Sequence, residues 1–242
     1  MNNGKIYYDI PLLTQTGSSN CVQTSVAMLL SYYGQIFTPE VIQTKIPVRF
    51  DSQGKPFGTL LMDIATWIKS IGLGVALDCF DCEIIDRSWK NIPANEIIKK
   101  LKLLKASDRQ TVIPIEICNS MIDSYIKMLE SKVTFHISEL DRNYLWRLIK
   151  NGPFLPIVSY NYLYYAPRDK YDVNFKKYSP DDIEGKTTSH AVIAVGMDDE
   201  KIYINDPDET RGGQNSFSID HFIVSIAIAQ NKANNWILYL DK

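Results

Sequence analysis

The sequence has few cysteines, and this shortage excludes several classes of protein. Its 242 residues contain four cysteines, at positions 21, 79, 82 and 118. Four cysteines are too few for a disulfide scaffold of this size. The pair Cys79 and Cys82 lacks two further ligands at the spacing of a structural zinc site. We therefore expect free thiols, no metal and no cofactor.

Long apolar runs and an excess of charge are also missing. No stretch approaches the ~18 apolar residues of a membrane span, and the segment 1–8 holds no apolar signal core. A formal net charge of -2 gives no electrostatic reason to expect nucleic acid as a partner. We expect a protein of the reducing cytoplasm, or one exported without a Sec-type signal.

The composition is that of an ordinary folded protein, with 45% hydrophobic and 22% charged residues. The length is sufficient for one large domain. We predict a single domain over residues 1–242, with an insertion or elaboration around 80–137, where the sequence matches no motif.

Cys21 lies where a polar loop joins an apolar helix. The loop 14–20 is rich in Thr, Gly, Ser and Asn, which favours a turn, and Ser19 and Asn20 are both good helix caps. Apolar residues then recur at three- and four-residue steps as far as Gly34. Because a helix N-terminus favours the thiolate form of a cysteine, this position predicts a nucleophile.

Three other side chains complete a set for thiol chemistry. Gln15 lies six residues before the cysteine, so its amide could donate to an oxyanion that forms beside the sulfur. His190 begins a β-rich run that ends at Gly196, and Asp206 directly precedes Pro207. Cys, His and Asp in this chain order are the parts of a thiol-activating triad.

These segments closely resemble the bacteriocin-processing cysteine peptidase family and its wider papain-like relatives. That family has a Gln, five intervening residues and a Cys at the head of a helix, which ends in a Tyr-Tyr-Gly-like turn. A His followed by small and β-branched residues up to a Gly comes later, and then an Asp-Pro. The matching positions are Gln15, Cys21, Tyr32-Tyr33-Gly34, His190 to Gly196, and Asp206-Pro207.

The resemblance implies a role for each matched side chain. Cys21 would be the nucleophile, and His190 would be the general base and acid. Asp206 would orient His190, and Gln15 would donate to the oxyanion. Asn205 is the alternative orienting residue, because papain-like enzymes also use Asn in that role. Strand alternation puts positions 205 and 206 on opposite faces, so only one of them can point at the histidine.

The chain departs from the family pattern directly after the cysteine. The family has Gly or Trp there and then small residues, whereas this chain has Val22-Gln23-Thr24. We expect the β-branch of Val22 and the bulky side chain of Gln23 to narrow the site, which would affect the choice of substrate.

The implied activity is thiol-dependent acyl transfer, by a cysteine peptidase or amidase that acts on a peptide or protein substrate. If an amine instead of water cleared the thioester, the protein would be an acyltransferase, and the triad does not decide between the two. A further alternative is a non-catalytic module that holds a peptide in the same cleft. The joint presence of Cys21 and His190 argues against that alternative.

The predicted fold class is α+β, with a papain-like two-lobed architecture in which the Cys21 helix packs on a C-terminal antiparallel β-sheet. The predicted strands are 73–79, 111–117, 154–160, 190–197, 201–205 and 235–240, with 190–205 as a hairpin. Residues 5–13 are predicted to form a short entry strand or an extended arm. The predicted helices begin near residues 21, 38, 60, 95, 122, 138 and 218. The aromatic segment 160–165 is a candidate cleft wall, and the loop 166–189 is a candidate flap.

Overall fold

The computed structural model describes residues 4–17, 19–111, 113–174, 177–229 and 235–241. The α-helices in these ranges are α1 (Cys21–Tyr32), α2 (Pro39–Lys45), α3 (Leu61–Ser70), α4 (Ala94–Ala106), α5 (Ile115–Glu130), α6 (Arg142–Asn151), α7 (Tyr160–Leu163) and α8 (Ile219–Ala227). The strands are β1 (Ile6–Tyr7), β2 (Arg49–Phe50), β3 (Pro56–Gly58), β4 (Val75–Cys79), β5 (Thr134–Ile137), β6 (Phe154–Ser159), β7 (Asp169–Asp172), β8 (Lys177–Pro180), β9 (Ser189–Ala191), β10 (Ile193–Met197), β11 (Lys201–Asp206), β12 (Gly213–Ser218) and β13 (Trp236–Leu240).

One large sheet runs through the centre of the fold. Its strands follow the order β12-β11-β10-β6-β13-β4-β5, with β1 beside β10 and β9 beside β6. The adjacent strands described in this sheet are antiparallel, except for β4 and β5, which are parallel. Two hairpins, β2–β3 and β7–β8, are separate from it. The predicted α+β class is therefore confirmed. Within residues 5–13, predicted as a short entry strand or an extended arm, the strand is β1.

Apolar side chains cover both faces of the large sheet. Helices α1, α3 and α5 bury side chains against one face, and α6 and α8 bury theirs against the other. Strands β6 and β10 are buried along their whole length, as central strands should be. The predicted β10–β11 hairpin is confirmed. Among the described helices, none has the length and apolar character needed to cross a membrane.

Helix α1 joins the N-terminal part of the chain to the sheet. Residues 22–30 are all buried, so its polar side chains need hydrogen-bond partners inside the protein. Ser25 Oγ donates to the carbonyl of Ala191 at 3.1 Å. Because Ala191 follows His190 in β9, this bond fastens the cysteine-bearing helix to the histidine-bearing strand. The predicted packing of this helix on the sheet is confirmed.

The strand predicted over 111–117 is wrong. Residues 115–117 form the first turn of α5, and Pro114 occupies the position before it. The fixed φ of proline suits a helix start, and it outweighs the β-propensity of the neighbouring residues. Val112, in the same segment, lies outside the described residues.

The helix predicted from Ser138 begins later, at Arg142. Asp141 caps it, because its Oδ1 accepts from the backbone N–H of Tyr144 at 2.6 Å. The hydroxyl of Ser138 donates instead to Asp78 Oδ2 at 2.7 Å. Ser138 follows β5, a short edge strand that the sequence did not predict.

The segment 80–137 contains α4, α5 and β5. That this segment is an elaboration within a single domain of residues 1–242 stays a prediction.

Candidate active site

Cys21 is the first residue of α1, as the sequence predicted. Its thiol is free and partly exposed. Asn20 occupies the N-cap position, but its side chain makes no capping hydrogen bond. The Asn20 amide donates to Thr16 Oγ1 at 3.3 Å instead. The Asn20 side chain therefore leaves the backbone N–H groups of the first turn uncapped. These groups lie at the same helix end as the sulfur and favour a negative charge there.

His190 and Asp206 form a buried pair. His190 Nε2 lies 2.7 Å from Asp206 Oδ1, and the two side chains are 7% and 0% exposed. The backbone N–H of Asp208 donates to the same Oδ1 at 2.8 Å. Since Nε2 is taken by the carboxylate, Nδ1 is the ring nitrogen that remains for a thiol.

Opposing effects act on the charge of His190. Burial lowers the pKa of His190, whereas the negative charge and hydrogen bond of Asp206 raise it, and interaction with the Cys21 side chain raises it further. The net result is a pKa well above the ordinary value for histidine. The structure thus brings Cys21, His190 and Asp206 together and favours the imidazolium form.

Asn205 points away from this pair. Its Nδ2 donates to the carbonyl of Ile10 at 2.8 Å. Asp206, on the opposite face of β11, contacts His190. Strand alternation therefore allowed one of the two candidates to reach the histidine, and the structure places Asp206 there.

Gln15 is held close to the Asp-Pro segment. Its backbone N–H donates to the carbonyl of Pro207 at 2.8 Å. The side chain is buried, and its Oε1 has no hydrogen-bond partner in the described part of the chain. This amide oxygen can only accept a hydrogen bond, so an N–H of a ligand would satisfy it, whereas an oxyanion would need the Nε2 donor. The oxyanion role of Gln15 therefore stays a prediction.

Tyr164 is a site residue that the triad pattern did not identify. Its hydroxyl donates to Asp206 Oδ2 at 2.5 Å, so both carboxylate oxygens are bonded. Tyr160, one helical turn earlier, sets its ring edge-on to His190, with ring centres 5.5 Å apart. The aromatic run predicted as a cleft wall supplies both side chains, but no sequence spacing links Tyr164 to Asp206.

Tyr178 lies on the β7–β8 hairpin, within the segment predicted as a flap. Burial raises the pKa of Tyr178 to about 12, and the charges of Tyr171, Asp169, Cys21 and Asp51 add to the rise. That this segment acts as a flap over Cys21 stays a prediction. Residues 175–176 of that segment lie outside the described residues.

The expectation that Gln23 narrows the site is wrong. Its side chain is fully buried, and its Nε2 donates to the carbonyl of Ile46 at 3.0 Å and to Thr59 Oγ1 at 2.8 Å. Gln23 therefore ties α1 to the neighbouring loops. Thr59 accepts this bond, and the helix predicted to begin near residue 60 is α3, which begins at Leu61.

The other two histidines have partners of their own. His136 Nδ1 lies 2.9 Å from Asp78 Oδ1. His221 stacks on Tyr162, with ring centres 4.7 Å apart. No group of three or more His, Cys, Asp or Glu side chains among the described residues is arranged to hold a metal ion.

Comparisons with known proteins agree with this architecture. The model of the Peptidase_C39 like family matches residues 7–237. A solved structure from Bacillus anthracis, described as a C39-like peptidase, is 13% identical, with a TM-score of 0.50 over 99% of this chain and 98% of its own. This likeness confirms the predicted papain-like fold.

A double glycine motif protease from an AMS/PCAT transporter, solved in complex with the leader peptide, is also similar. It is 14% identical, with a TM-score of 0.42 over 97% of this chain and 93% of its own. No curated protein matches the sequence.

Proposed function

This chain belongs to the Peptidase_C39 like family, and from that premise we propose that it is a cysteine peptidase or amidase whose triad is Cys21, His190 and Asp206. The observation that carries the proposal is the His190–Asp206 pair, joined at 2.7 Å between Nε2 and Oδ1, together with Cys21 at the start of α1 as a neighbour of its imidazole. It leaves Nδ1 of the same buried ring for the thiol. The interaction of Cys21 with that ring supports the same assignment.

The first half of the reaction forms a thioester. Cys21 gives its proton to His190, and the thiolate sulfur attacks the carbonyl carbon of the substrate. The electron pair of the carbonyl moves to its oxygen, where the Gln15 amide and the Cys21 backbone N–H stabilise the charge. His190 then donates its proton to the leaving amine, and the C–N bond breaks.

The second half returns the enzyme to its starting state. His190 removes a proton from water, and the hydroxide oxygen attacks the thioester carbonyl. The C–S bond breaks, the carboxylic acid leaves, and the sulfur regains a proton from His190. Each step needs the imidazole to take a proton on one side of the ring while Asp206 holds the other.

Tyr164 has a positioning role in this mechanism. Its hydroxyl donates to Asp206 Oδ2, so the carboxylate cannot rotate away from His190 without breaking that bond. Tyr164 packs edge-on against Phe217, with ring centres 5.6 Å apart. A fixed carboxylate holds the imidazole in one orientation, which preserves the geometry that the thiol requires.

Selective alkylation tests the nucleophile. Cys82 is an exposed free thiol in the same chain and serves as the internal control. At pH 6 we expect iodoacetamide to modify Cys21 at least about tenfold faster than Cys82, because an ion pair with His190 keeps the thiolate populated. Peptide mapping by mass spectrometry gives both rates. Equal rates, or an unchanged Cys21 rate in His190→Ala, would contradict the proposal.

Oxygen labelling separates hydrolysis from acyl transfer to an amine. The protein is incubated with a synthetic peptide library in H2¹⁸O, and the products are read by mass spectrometry. Hydrolysis puts ¹⁸O into each new carboxyl group, whereas transfer to an amine forms a new amide without it. Cys21→Ser is the matched control and should form no product. Binding of peptides without any product would favour a non-catalytic module.

A further inference from the structure

A cavity of about 820 Å³ lies away from the triad, at the ends of three helices. Its walls carry four basic side chains and one acidic one. They are Lys45, Arg49, Lys69, Lys127 and Asp63. Arg49 already has partners within the protein. Its guanidinium donates hydrogen bonds to Asp63 at 2.5 Å, to Ser124 Oγ at 2.8 Å and to Ser120.

The three lysines of this cavity have no acidic partner. In the described part of the chain, no carboxylate oxygen lies within 4.0 Å of the Nζ atom of Lys45, Lys69 or Lys127. Three uncompensated positive charges thus face one concavity in a protein whose formal net charge is -2. A concave wall that carries charge of one sign concentrates the field and attracts counter-ions. We call this site the cationic cavity.

Each lysine also has a local reason to be where it is. Lys45, Lys69 and Lys127 lie in the last turns of α2, α3 and α5, where a positive charge is favourable to the helix. That effect acts on each helix alone and does not require the three ends to share a cavity. Lys105 and Lys150 occupy the same kind of position in α4 and α6 and do not line it.

A second concavity lies between Pro47, at the edge of the cationic cavity, and the loop before Cys21. Its volume is about 340 Å³, and it shares Pro47 as a lining residue with the cationic cavity. Its other wall is the loop directly before Cys21, including Ser19 and Asn20. Asn20 is 7% exposed, and its Oδ1 has no partner among the described residues. An N–H of a bound backbone would satisfy this acceptor.

We propose that the cationic cavity is a binding site for an acidic segment of the peptide substrate, held at a distance from the bond that is cleaved. The inference rests on the proposed function, because it adds a substrate class to that site. The substrate would cross Pro47 from Cys21, and its Asp or Glu side chains would pair with the three lysines. Lysine ammonium groups on flexible stems suit carboxylates spaced along a peptide.

A phosphate group fits this cavity less well than a series of carboxylates. Phosphate sites are typically built from backbone N–H groups at a helix N-terminus. Here the walls come from the C-terminal ends of helices, which present carbonyl groups and lack the N–H groups of a phosphate site, so the lysine side chains supply the positive charge. Trp67 adds an apolar ring to the wall, held edge-on against Phe37 with ring centres 5.3 Å apart. A peptide offers both carboxylates and apolar atoms to such a wall.

A binding measurement without turnover tests the proposal. The probe is a fluorescein-labelled peptide of six glutamates, and its control is the same peptide with six glutamines. Anisotropy is measured on Cys21→Ala at low salt. We expect the glutamate peptide to bind at least about tenfold more tightly than the glutamine peptide, with an affinity that falls as salt rises. Equal affinity for the two peptides would overturn the proposal.

Matched lysine variants separate a ligand role from a helix-end role. The triple variant Lys45→Gln, Lys69→Gln and Lys127→Gln should weaken binding about tenfold, given three exposed ion pairs. The control triple Lys99→Gln, Lys105→Gln and Lys150→Gln makes the same change in net charge and should stay within about twofold. Circular dichroism checks that both variants fold. Equal loss of binding in the two triples would show general attraction and overturn the proposal.

Two further outcomes keep the inference separate from the proposed function. If tripolyphosphate displaces the peptide at a lower concentration than free glutamate peptide does, the cavity is a phosphate site and the proposal is wrong. The anisotropy assay is carried out on Cys21→Ala, so its result does not depend on whether the alkylation test of Cys21 succeeds. If Cys21 is activated but the glutamate peptide does not bind, the substrate class alone is overturned.

Discussion

The chain contains two histidine–aspartate pairs that share their chemistry and differ in their surroundings. His190 meets Asp206 at 2.7 Å, and His136 meets Asp78 at 2.9 Å. Both carboxylates are buried, and each accepts a tyrosine hydroxyl on its other oxygen, from Tyr164 and Tyr144 respectively. An aspartate beside a histidine is therefore not sufficient evidence of catalysis in this fold.

The two pairs differ in what faces the rest of the imidazole. The His190 side chain is 7% exposed, and Cys21 interacts with it. The His136 side chain is 51% exposed, and its neighbours are Asp78, Tyr239 and the charge of Asp241. The pair of His136 joins the parallel strands β4 and β5 across the sheet edge. This difference supports the catalytic role proposed for the first pair and favours a structural role for the second.

The largest expected difference between the two pairs is the loss of activity when each histidine is removed. His190→Ala should lower the rate of peptide hydrolysis by about 10⁴-fold, because the nucleophile loses its base. His136→Ala should leave the rate within about twofold. Initial rates on a peptide from the library give both values. A comparable loss in the two variants would remove the distinction between the pairs.

The two aspartates should separate activity from stability. Asp206→Asn should lower the rate by about 10²- to 10³-fold, since a neutral amide does not stabilise the imidazolium. Asp78→Asn should instead cost about 2–4 kcal/mol of unfolding free energy, because a buried carboxylate with several donors is replaced. Urea denaturation and rates per folded molecule measure the two effects. Low activity in folded Asp78→Asn would contradict the structural role.

The two tyrosines refine the comparison further. Tyr164→Phe should lower the rate about tenfold, because Asp206 Oδ2 loses its donor. The carboxylate would then act on His190 with more of its charge, so the alkaline limb of the pH–rate profile should move to higher pH. Tyr144→Phe removes the corresponding hydroxyl from Asp78 Oδ2 and is the matched control, with no change in the profile. An unshifted limb in Tyr164→Phe would mean that this tyrosine only packs.

The smallest expected effect is the pH dependence of stability at the second pair. The hydrogen bond with Asp78 raises the pKa of His136 above 6.5, against the opposing effect of burial. A raised pKa in the folded state stabilises the protein fully below pH 6.5, and this contribution is lost as pH rises through the raised value. Since the ring is half exposed, we expect less than about 1 kcal/mol.

Urea denaturation of wild type and His136→Gln at pH 5.5 and pH 9 measures this contribution. The stability gap between the two proteins should be larger at pH 5.5. A gap that is larger at pH 9 would contradict the sign of the shift.

Each position of the proposed triad carries a local signal in the sequence. Cys21 follows cap residues, His190 starts an apolar run, and Asp206 precedes a proline. Gly34 was expected just after α1, and it does adopt a φ of +74°, a conformation that glycine favours. These features depend on neighbours in the chain, so one sequence is enough to find them.

Other features depend on contacts between distant residues, and the sequence did not reveal them. Tyr164 and Asp206 are 42 positions apart, and nothing local says that they meet. Gln23 was expected to narrow the site, but its hydrogen bonds to Ile46 and Thr59 hold its side chain in the core. Strand β12 was also not predicted. It lies at the edge of the sheet, and its sequence is mostly polar, so it lacks the hydrophobic pattern by which a strand is recognised.

The order of strands in the large sheet has a consequence for synthesis. Strand β13 comes after every other strand in the chain, yet it lies between β6 and β4. Until β13 has been synthesised, the two halves of the sheet lack the strand that joins them. A growing chain that already carries the thiol and the imidazole would therefore lack the support on which their alignment depends. Closure of the sheet by Trp236–Leu240 would then be the step that completes the proposed site.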